Sequence, residues 1–291
     1  MTDVPPQRVS PIRPPEEYTL PSRPDGAPDT VLDAYRQTHF LLGGDLKLFA
    51  EAMNLQLRLL KDAYPSQYRT HALATIAGLW SRAYLCLGDA VLLTGRGSYP
   101  SALPLIRTTC EIIAAEEALR LSDAEEHDAW LRSTLRPDAV HKAFEFELGR
   151  FFSGEQLARD AVLGSVYRAA SDLARPNFGA TLLQVGPESN NVRLAVSFGD
   201  TAFHLGWAEV ILGWALALAA RQARLIIAAE PMFPVSDEVR AAQGELQRRV
   251  DEALGRDDRC RIEEVEEDGS RRYLVHSFRR AASAAPRKVI L

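Results

Sequence analysis

The sequence contains few cysteines, and their spacing excludes several classes of protein. Three are present, Cys86, Cys110 and Cys260, and no Cys-x-x-Cys pair occurs. An odd number at wide spacings excludes a disulfide-stapled scaffold and indicates neither a zinc knuckle nor a redox pair. Because Cys86 and Cys110 lie in apolar sequence with helical spacing, we expect them in the core of a protein of the reducing cytoplasm.

An excess of charge of one sign is also absent. The chain has 34 basic and 39 acidic side chains, a formal net charge of −5, which excludes a protein that binds nucleic acid over its whole surface. Only four of the basic residues are lysines, so 30 of the 34 are arginines. Together with the many alanines, this usage is typical of a GC-rich bacterial genome, and it is not by itself a sign of RNA binding.

Long hydrophobic runs are nearly absent. The exception is Leu205–Ala220, a run of sixteen residues with one charge, whereas a membrane span needs roughly 20 apolar residues. His204 and Glu209 place polar groups in its first half, and Arg221 and Arg224 close it. We therefore predict a buried central helix and no membrane association. The N-terminus has no apolar stretch of the signal-peptide type.

Prolines are concentrated at the N-terminus, where residues 1–28 hold eight of the seventeen. Because proline fixes φ and lacks an amide proton, we predict an extended or disordered arm there. Apolar residues at helical spacing follow, separated by caps and by glycine or proline stops. The predicted fold is all-α, an antiparallel multi-helix bundle with two small β-hairpin decorations. It divides into the arm, a helical bundle domain over 29–230, and a C-terminal helix, β-hairpin and basic tail over 231–291.

Two pairs of β-rich segments predict the hairpins. The paired segments are Thr181–Val185 with Val192–Phe198, and Arg259–Val265 with Arg271–His276. Residues 251–268 carry nine acids, whereas residues 271–291 carry basic residues and no acid. We therefore expect opposite charges to pair across the second hairpin, and the basic tail beyond it to stay mobile.

The common signatures of catalytic and nucleotide-binding proteins are absent. His-Glu-x-x-His, Gly-x-Ser-x-Gly, the Walker A loop, Gly-x-Gly-x-x-Gly and the Glu-x-x-His of diiron bundles do not occur. Asp138, His141 and Glu145 share one face of a helix predicted from Pro137 to about Gly149, but no partner helix supplies further ligands. We predict neither a metal site nor a cofactor.

Polar residues inside apolar helices are the more informative candidates. Arg107 and Glu111 are four residues apart, so their side chains can meet on one helix face. Glu209 lies in a helix that is apolar all round and is expected to be buried. A buried carboxylate costs several kcal/mol unless it is paired or protonated. We predict that Glu209 pairs with Arg107 or Arg82, either to fix the packing or to bind a ligand.

Two short motifs carry a family resemblance. Residues 102–111 read Ala-x3-Ile-Arg-x3-Glu, and residues 167–176 read Tyr-x3-Ser-x3-Arg-Pro. Together they resemble a group of bacterial all-helical proteins placed loosely with HEPN-like and abortive-infection families, in which the second motif ends in His-Pro. Here Arg175 stands in the place of that histidine. The resemblance covers about residues 66–230 and implies an all-helical fold.

The resemblance also implies site residues. Tyr167, Ser171 and Arg175 fall along one helix face and are expected to meet Arg107 and Glu111. With Glu209 these residues form what we call the polar seam: Arg107, Glu111, Tyr167, Ser171, Arg175 and Glu209. HEPN ribonucleases use an Arg-x4–6-His pair, in which the histidine acts on the 2′-hydroxyl and the arginine stabilises the phosphate. The best-placed such pair in this chain is Arg136 and His141, our candidate catalytic residues.

Three functional hypotheses follow. The first is a non-enzymatic binding or interaction protein, homodimeric, whose polar seam organises the core or holds a small ligand. The second is a HEPN-like ribonuclease or toxin-type effector in bacterial defence, acting on RNA or with a companion protein. The third is another enzyme, metal-dependent, around His141. An open cleft with unpaired arginines would favour the second hypothesis, and paired side chains would favour the first.

Overall fold

The computed structural model describes residues 13–62, 71–121, 135–137, 144–146, 154–186, 189, 192–230, 232–267 and 269–291. Within these ranges the chain is mostly helical, with small antiparallel sheets. The helices are α1 (Asp29–Leu41), α2 (Gly43–Asp62), α3 (His71–Gly95), α4 (Tyr99–Leu121), α5 (Gly154–Arg159), α6 (Ala161–Ala174), α7 (Phe178–Val185), α8 (Leu205–Ala228) and α9 (Asp237–Leu254). The strands are β1 (Leu135–Pro137), β2 (Phe144–Phe146), β3 (Arg261–Glu267), β4 (Ser270–Phe278) and β5 (Arg287–Ile290).

Helix α8 forms the centre of the bundle, as its sequence predicts. Most of its side chains are buried, and it packs against α2, α3, α4 and α9. His204 caps its N-terminus, with the ring Nδ1 accepting from the amide of Trp207. By length and composition, Leu73–Gly95 and Leu205–Ala228 are apolar enough to cross a membrane, although most of the second lies inside the protein.

A tight turn sets α3 beside α4. Gly97 has a φ of 71°, a conformation that costs little only for glycine. A Cβ added there would lie 2.0 Å from the carbonyl oxygen of Thr201. The turn therefore needs a glycine for two reasons, and it fixes how the segment before α8 lies against the two helices.

The described part of the proline-rich arm lies along the helical body. The side chain of Asn54 accepts from the amide of Tyr18 at 2.8 Å and donates to its carbonyl at 3.0 Å. The Tyr18 ring contacts Phe49 and Tyr84 edge to face. One aromatic anchor and one amide bracket thus hold a segment whose prolines cannot form a helix.

The second predicted hairpin is confirmed, and it gains a third strand. Strands β3 and β4 pair antiparallel with Glu266 opposite Arg271. The Arg271 guanidinium also contacts Glu264 at 2.7 Å, so opposite charges meet across the ladder as expected. The prediction of a mobile tail was wrong, because β5 pairs with β4 and Leu291 exchanges two backbone hydrogen bonds with Tyr273.

The first predicted hairpin was wrong. Thr181–Val185 belongs to helix α7, and Val192–Phe198 has no strand partner within the described residues. The Asn177 side chain caps α7 by accepting from the amide of Ala180. The cap and the burial of one apolar face outweigh the β propensity of the segment.

Two further helix predictions need correction. The helix predicted from Pro137 to Gly149 is wrong, since β1 and β2 pair antiparallel there and Arg136 lies opposite Glu145. The alternation of Phe144 and Phe146 suits a strand period. A second helix, predicted to start at a Ser153–Gln156 capping box and to end before Pro176, is split at Asp160, whose carboxylate caps α6.

Candidate functional site

Part of the polar seam is assembled between α4 and α6. Nη2 of Arg107 donates to Oε1 of Glu111 at 3.0 Å, as the four-residue spacing predicts. The same guanidinium lies 5.8 Å from the centre of the Tyr167 ring, a cation–π distance. The cluster is half-buried, because the Arg107 side chain is 42% exposed and that of Glu111 is 18% exposed. The arginine thus has both a carboxylate and an aromatic partner from its own chain.

The other two seam residues at α6, Ser171 and Arg175, lie in different surroundings. Ser171 is buried, and its hydroxyl has no hydrogen-bond partner. Arg175 ends the helix at the surface and pairs with Asp172 at 3.2 Å. Asp172 also accepts from the Tyr273 hydroxyl at 2.7 Å, so this pair connects α6 with β4. Arg175 therefore stabilises a helix end and makes no described contact with Arg107.

Glu209 is buried as predicted, but its predicted partners were wrong. Neither Arg107 nor Arg82 reaches it. Its Oε2 accepts from the amide of Cys260 at 2.9 Å, and Arg259 donates to its backbone carbonyl at 2.9 Å. Burial raises the pKa of the Glu209 carboxyl, while the Cys260 amide acts in the opposite direction. Glu209 thus fastens the start of the C-terminal sheet to the central helix.

A buried ion pair between distant segments reinforces this junction. Arg259 is 2% exposed, and its guanidinium binds the buried carboxylate of Asp45. A Cβ on Gly213 would lie 3.0 Å from the Arg259 guanidinium, so the glycine leaves room for the arginine on α8. The sequence analysis missed this pair. Gly213, one turn after Glu209 in an apolar helix, is the signal that could have indicated it.

A second buried acid lies between α4 and α8. Glu116 and Gln222 are both fully buried, and the Gln222 amide donates to Oε2 of Glu116. Burial raises the pKa of the Glu116 carboxyl well above its usual range, against the smaller opposing effects of Gln222 and Arg221. Burial in this position therefore favours the protonated, neutral form of Glu116. The sequence analysis did not select Glu116.

The candidate catalytic pair is not brought together by any described contact. Arg136 lies in β1, opposite Glu145, whereas His141 and Asp138 lie outside the described residues. Within the described ranges, no group of three or more His, Cys, Asp or Glu side chains is arranged to hold a metal ion.

An exposed apolar row follows helix α7. It consists of Val192, Leu194, Val196 and Phe198, exposed by 96, 62, 65 and 103% respectively. The alternation is the one that predicted a strand, although the segment has no strand partner in the described structure. Apolar side chains in such a contiguous row are typical of an interaction surface rather than of scattered surface residues.

Comparison of the chain with models of known protein families, with curated proteins and with solved structures finds no match.

Proposed function

We propose that this chain is a helical binding and interaction protein of bacterial origin, which works in the cytoplasm as a homodimer and has no catalytic activity. The observation that carries the proposal is the pairing of the seam arginines. Arg107 contacts Glu111 and Tyr167, and Arg175 contacts Asp172. A catalytic site needs charged groups directed at the place where charge develops in the transition state, whereas these two are directed at groups of their own fold.

The polar seam is better explained as a set of brackets between elements. Arg107 and Tyr167 join α4 to α6, Asp172 joins α6 to β4, and Glu209 joins α8 to the entry of β3. In an apolar bundle such brackets favour one packing arrangement over its alternatives. Because the seam residues contact groups of their own chain, the exposed apolar row is the surface that we expect to act in binding.

The proposal is tested by incubating the purified protein with a single-stranded RNA and a hairpin RNA, with and without divalent cations. We expect no cleavage above that of a buffer blank. The matched control is the His141→Ala, Arg175→Ala double variant. RNA cleavage by the wild type that disappears in the double variant would contradict the proposal.

The second candidate is the HEPN-like ribonuclease or defence effector, and one observation favours it. Within the described residues, Nε of Arg107 and the hydroxyl of Ser171 are buried and have no hydrogen-bond partner. Unpaired buried polar atoms cost stability and often mark a ligand site. Under this hypothesis the two atoms would bind a phosphate of RNA or a group of a companion protein, and an Arg107→Met variant would lose cleavage while remaining folded.

A further inference from the structure

Two buried side chains between α4 and α8 each keep one oxygen atom without a hydrogen-bond partner. Glu116 and Gln222 are both fully buried. The Gln222 amide donates to Oε2 of Glu116 at 2.5 Å, whereas Oε1 of Glu116 and Oε1 of Gln222 make no hydrogen bond. A carboxylate oxygen and an amide oxygen can only accept, so the two unpartnered atoms of this pair both need a donor.

The nearby basic side chains are engaged with other acids. Nε of Arg221 contacts Asp160 at 2.8 Å, and its Nη2 lies 3.8 Å from Glu117. Arg120 forms two hydrogen bonds with Glu117. Within the described residues, no ion pair joins Glu116 to a basic side chain. An ionised Glu116 would therefore be a buried charge held by one neutral amide, which is costly.

A protonated carboxyl group matches this environment. It offers one O–H donor and one carbonyl acceptor, and a carboxamide offers N–H donors and one acceptor. Two such planar groups can exchange two hydrogen bonds, one from the acid hydroxyl to the amide oxygen and one from the amide nitrogen to the acid carbonyl. The second bond is present between Gln222 and Glu116, and the first would join the two unpartnered oxygens.

We propose that Glu116 and Gln222 form a proton-binding site, in which a hydrogen on Oε1 of Glu116 is donated to Oε1 of Gln222. The ligand is a proton taken from the solvent when α4 and α8 pack together. With the proton bound, the two helices share two buried hydrogen bonds. Without it, a charged oxygen and an amide oxygen are both left unpaired, so the contact between α4 and α8 weakens at alkaline pH.

The surrounding charges act on this site in opposite directions. Arg221 from α8 favours the ionised form of Glu116, and Glu117 from α4 opposes it. Asp160, which precedes α6, is paired with the same Arg221 and so reduces the effect of that cation. Burial raises the pKa of the Glu116 carboxyl, in agreement with a bound proton.

Infrared difference spectroscopy provides the first test, because a protonated carboxyl group and a carboxylate absorb at different frequencies. At pH 6 the wild-type spectrum minus that of a Glu116→Gln variant should contain the carbonyl band of a protonated carboxyl group. The matched control is Glu117→Gln, whose difference spectrum should contain carboxylate bands, since Arg120 binds Glu117. Carboxylate bands from Glu116, including those of an ionised group bridged by water, would overturn the proposal.

The second test exchanges the two groups. The Glu116→Gln, Gln222→Glu double variant moves the acid to α8 and the amide to α4, so the same pair can form in reverse. It should melt close to the wild type and retain the protonated carboxyl band. A Gln222→Leu variant removes the partner and should melt at least about 2–4 °C lower. An exchanged variant no more stable than Gln222→Leu would contradict the pairing.

A measurement on the wild type keeps the proposal testable if a variant does not fold. In protein labelled with ¹³C at the glutamate carboxyl carbons, the Glu116 signal should have the chemical shift of a protonated acid at pH 6. The Glu117 signal should have that of a carboxylate. A carboxylate shift for both residues would show that Glu116 binds no proton.

Discussion

At the scale of single residues, Glu116 should make the protein less stable as the pH rises. Its pKa is raised in the folded state, so above pH about 4.5 the unfolded chain releases a proton that the folded chain keeps. The free energy of unfolding should then fall by up to about 1.4 kcal/mol per pH unit until the folded pKa is reached. A Glu116→Gln variant should lose this slope and be more stable than the wild type at pH 8 in urea unfolding.

The neighbouring Glu117 provides a matched control with the opposite sign. Its hydrogen bonds to Arg120 lower its pKa, so its contribution is present above the ordinary carboxyl pKa and disappears as the pH falls through the lowered value. A Glu117→Gln variant should lose about 1 kcal/mol at pH 8. Equal destabilisation by both substitutions at pH 8 would contradict the raised pKa of Glu116.

His204 should produce a pH dependence on the acid side. Its burial lowers the pKa of the imidazole to about 4, below the ordinary value of about 6.5. The free energy of unfolding should be greatest above pH 6.5 and should decrease as the pH falls from 6.5 through 4. In that range the unfolded chain binds a proton at this histidine that the folded chain does not bind. NMR titration of the ring protons checks the pKa. A His204→Asn variant retains a capping side chain and should lose the dependence; a titration midpoint near 6.5 would contradict the account.

At the scale of elements, the buried pair of Asp45 and Arg259 joins α2 to the C-terminal sheet across α8. Removal of one partner leaves an uncompensated charge, so Asp45→Asn or Arg259→Met should each cost roughly 3–5 kcal/mol in urea unfolding. The double variant Asp45→Leu, Arg259→Met should recover most of this loss. Additive losses would show that the two side chains act independently.

Helix α7 depends on an N-cap that its β-rich sequence does not indicate. Asn177 accepts from the amide of Ala180 and donates to the carbonyl of Asp172 at 2.7 Å. An Asn177→Ala variant should lose about 1 kcal/mol of stability, whereas Asn177→Ser should lose less because a hydroxyl can cap. Equal stability of the wild type and the alanine variant would contradict the assignment of this cap.

These elements show what could be predicted from the sequence and what could not. Apolar spacing and stop residues predicted most helices, including the central α8, because both signals are local. The partner of Glu209 could not be predicted in this way. Cys260 is distant in sequence and lies beside Glu209 only because the C-terminal hairpin packs there in the folded chain. The prediction of a hairpin strand at Thr181–Val185 was wrong because the polar cap at Asn177, and not the β propensity, determines the conformation of that segment.

At the scale of the whole molecule, the charged and polar side chains described above mainly contact other residues of the same chain. The acids of β3 pair with the basic residues of α6 and β4: Arg168 and Arg271 both contact Glu264. The acidic and the basic parts of the C-terminal region therefore lie against each other in the fold. The apolar row of residues 192–198 remains exposed, which makes it the surface on which the proposed function depends.

The number of chains per particle tests this account most directly, because the proposed function requires a homodimer. We expect size-exclusion chromatography with light scattering to give two chains for the wild type at micromolar concentration. A single chain at every concentration would contradict the proposed function.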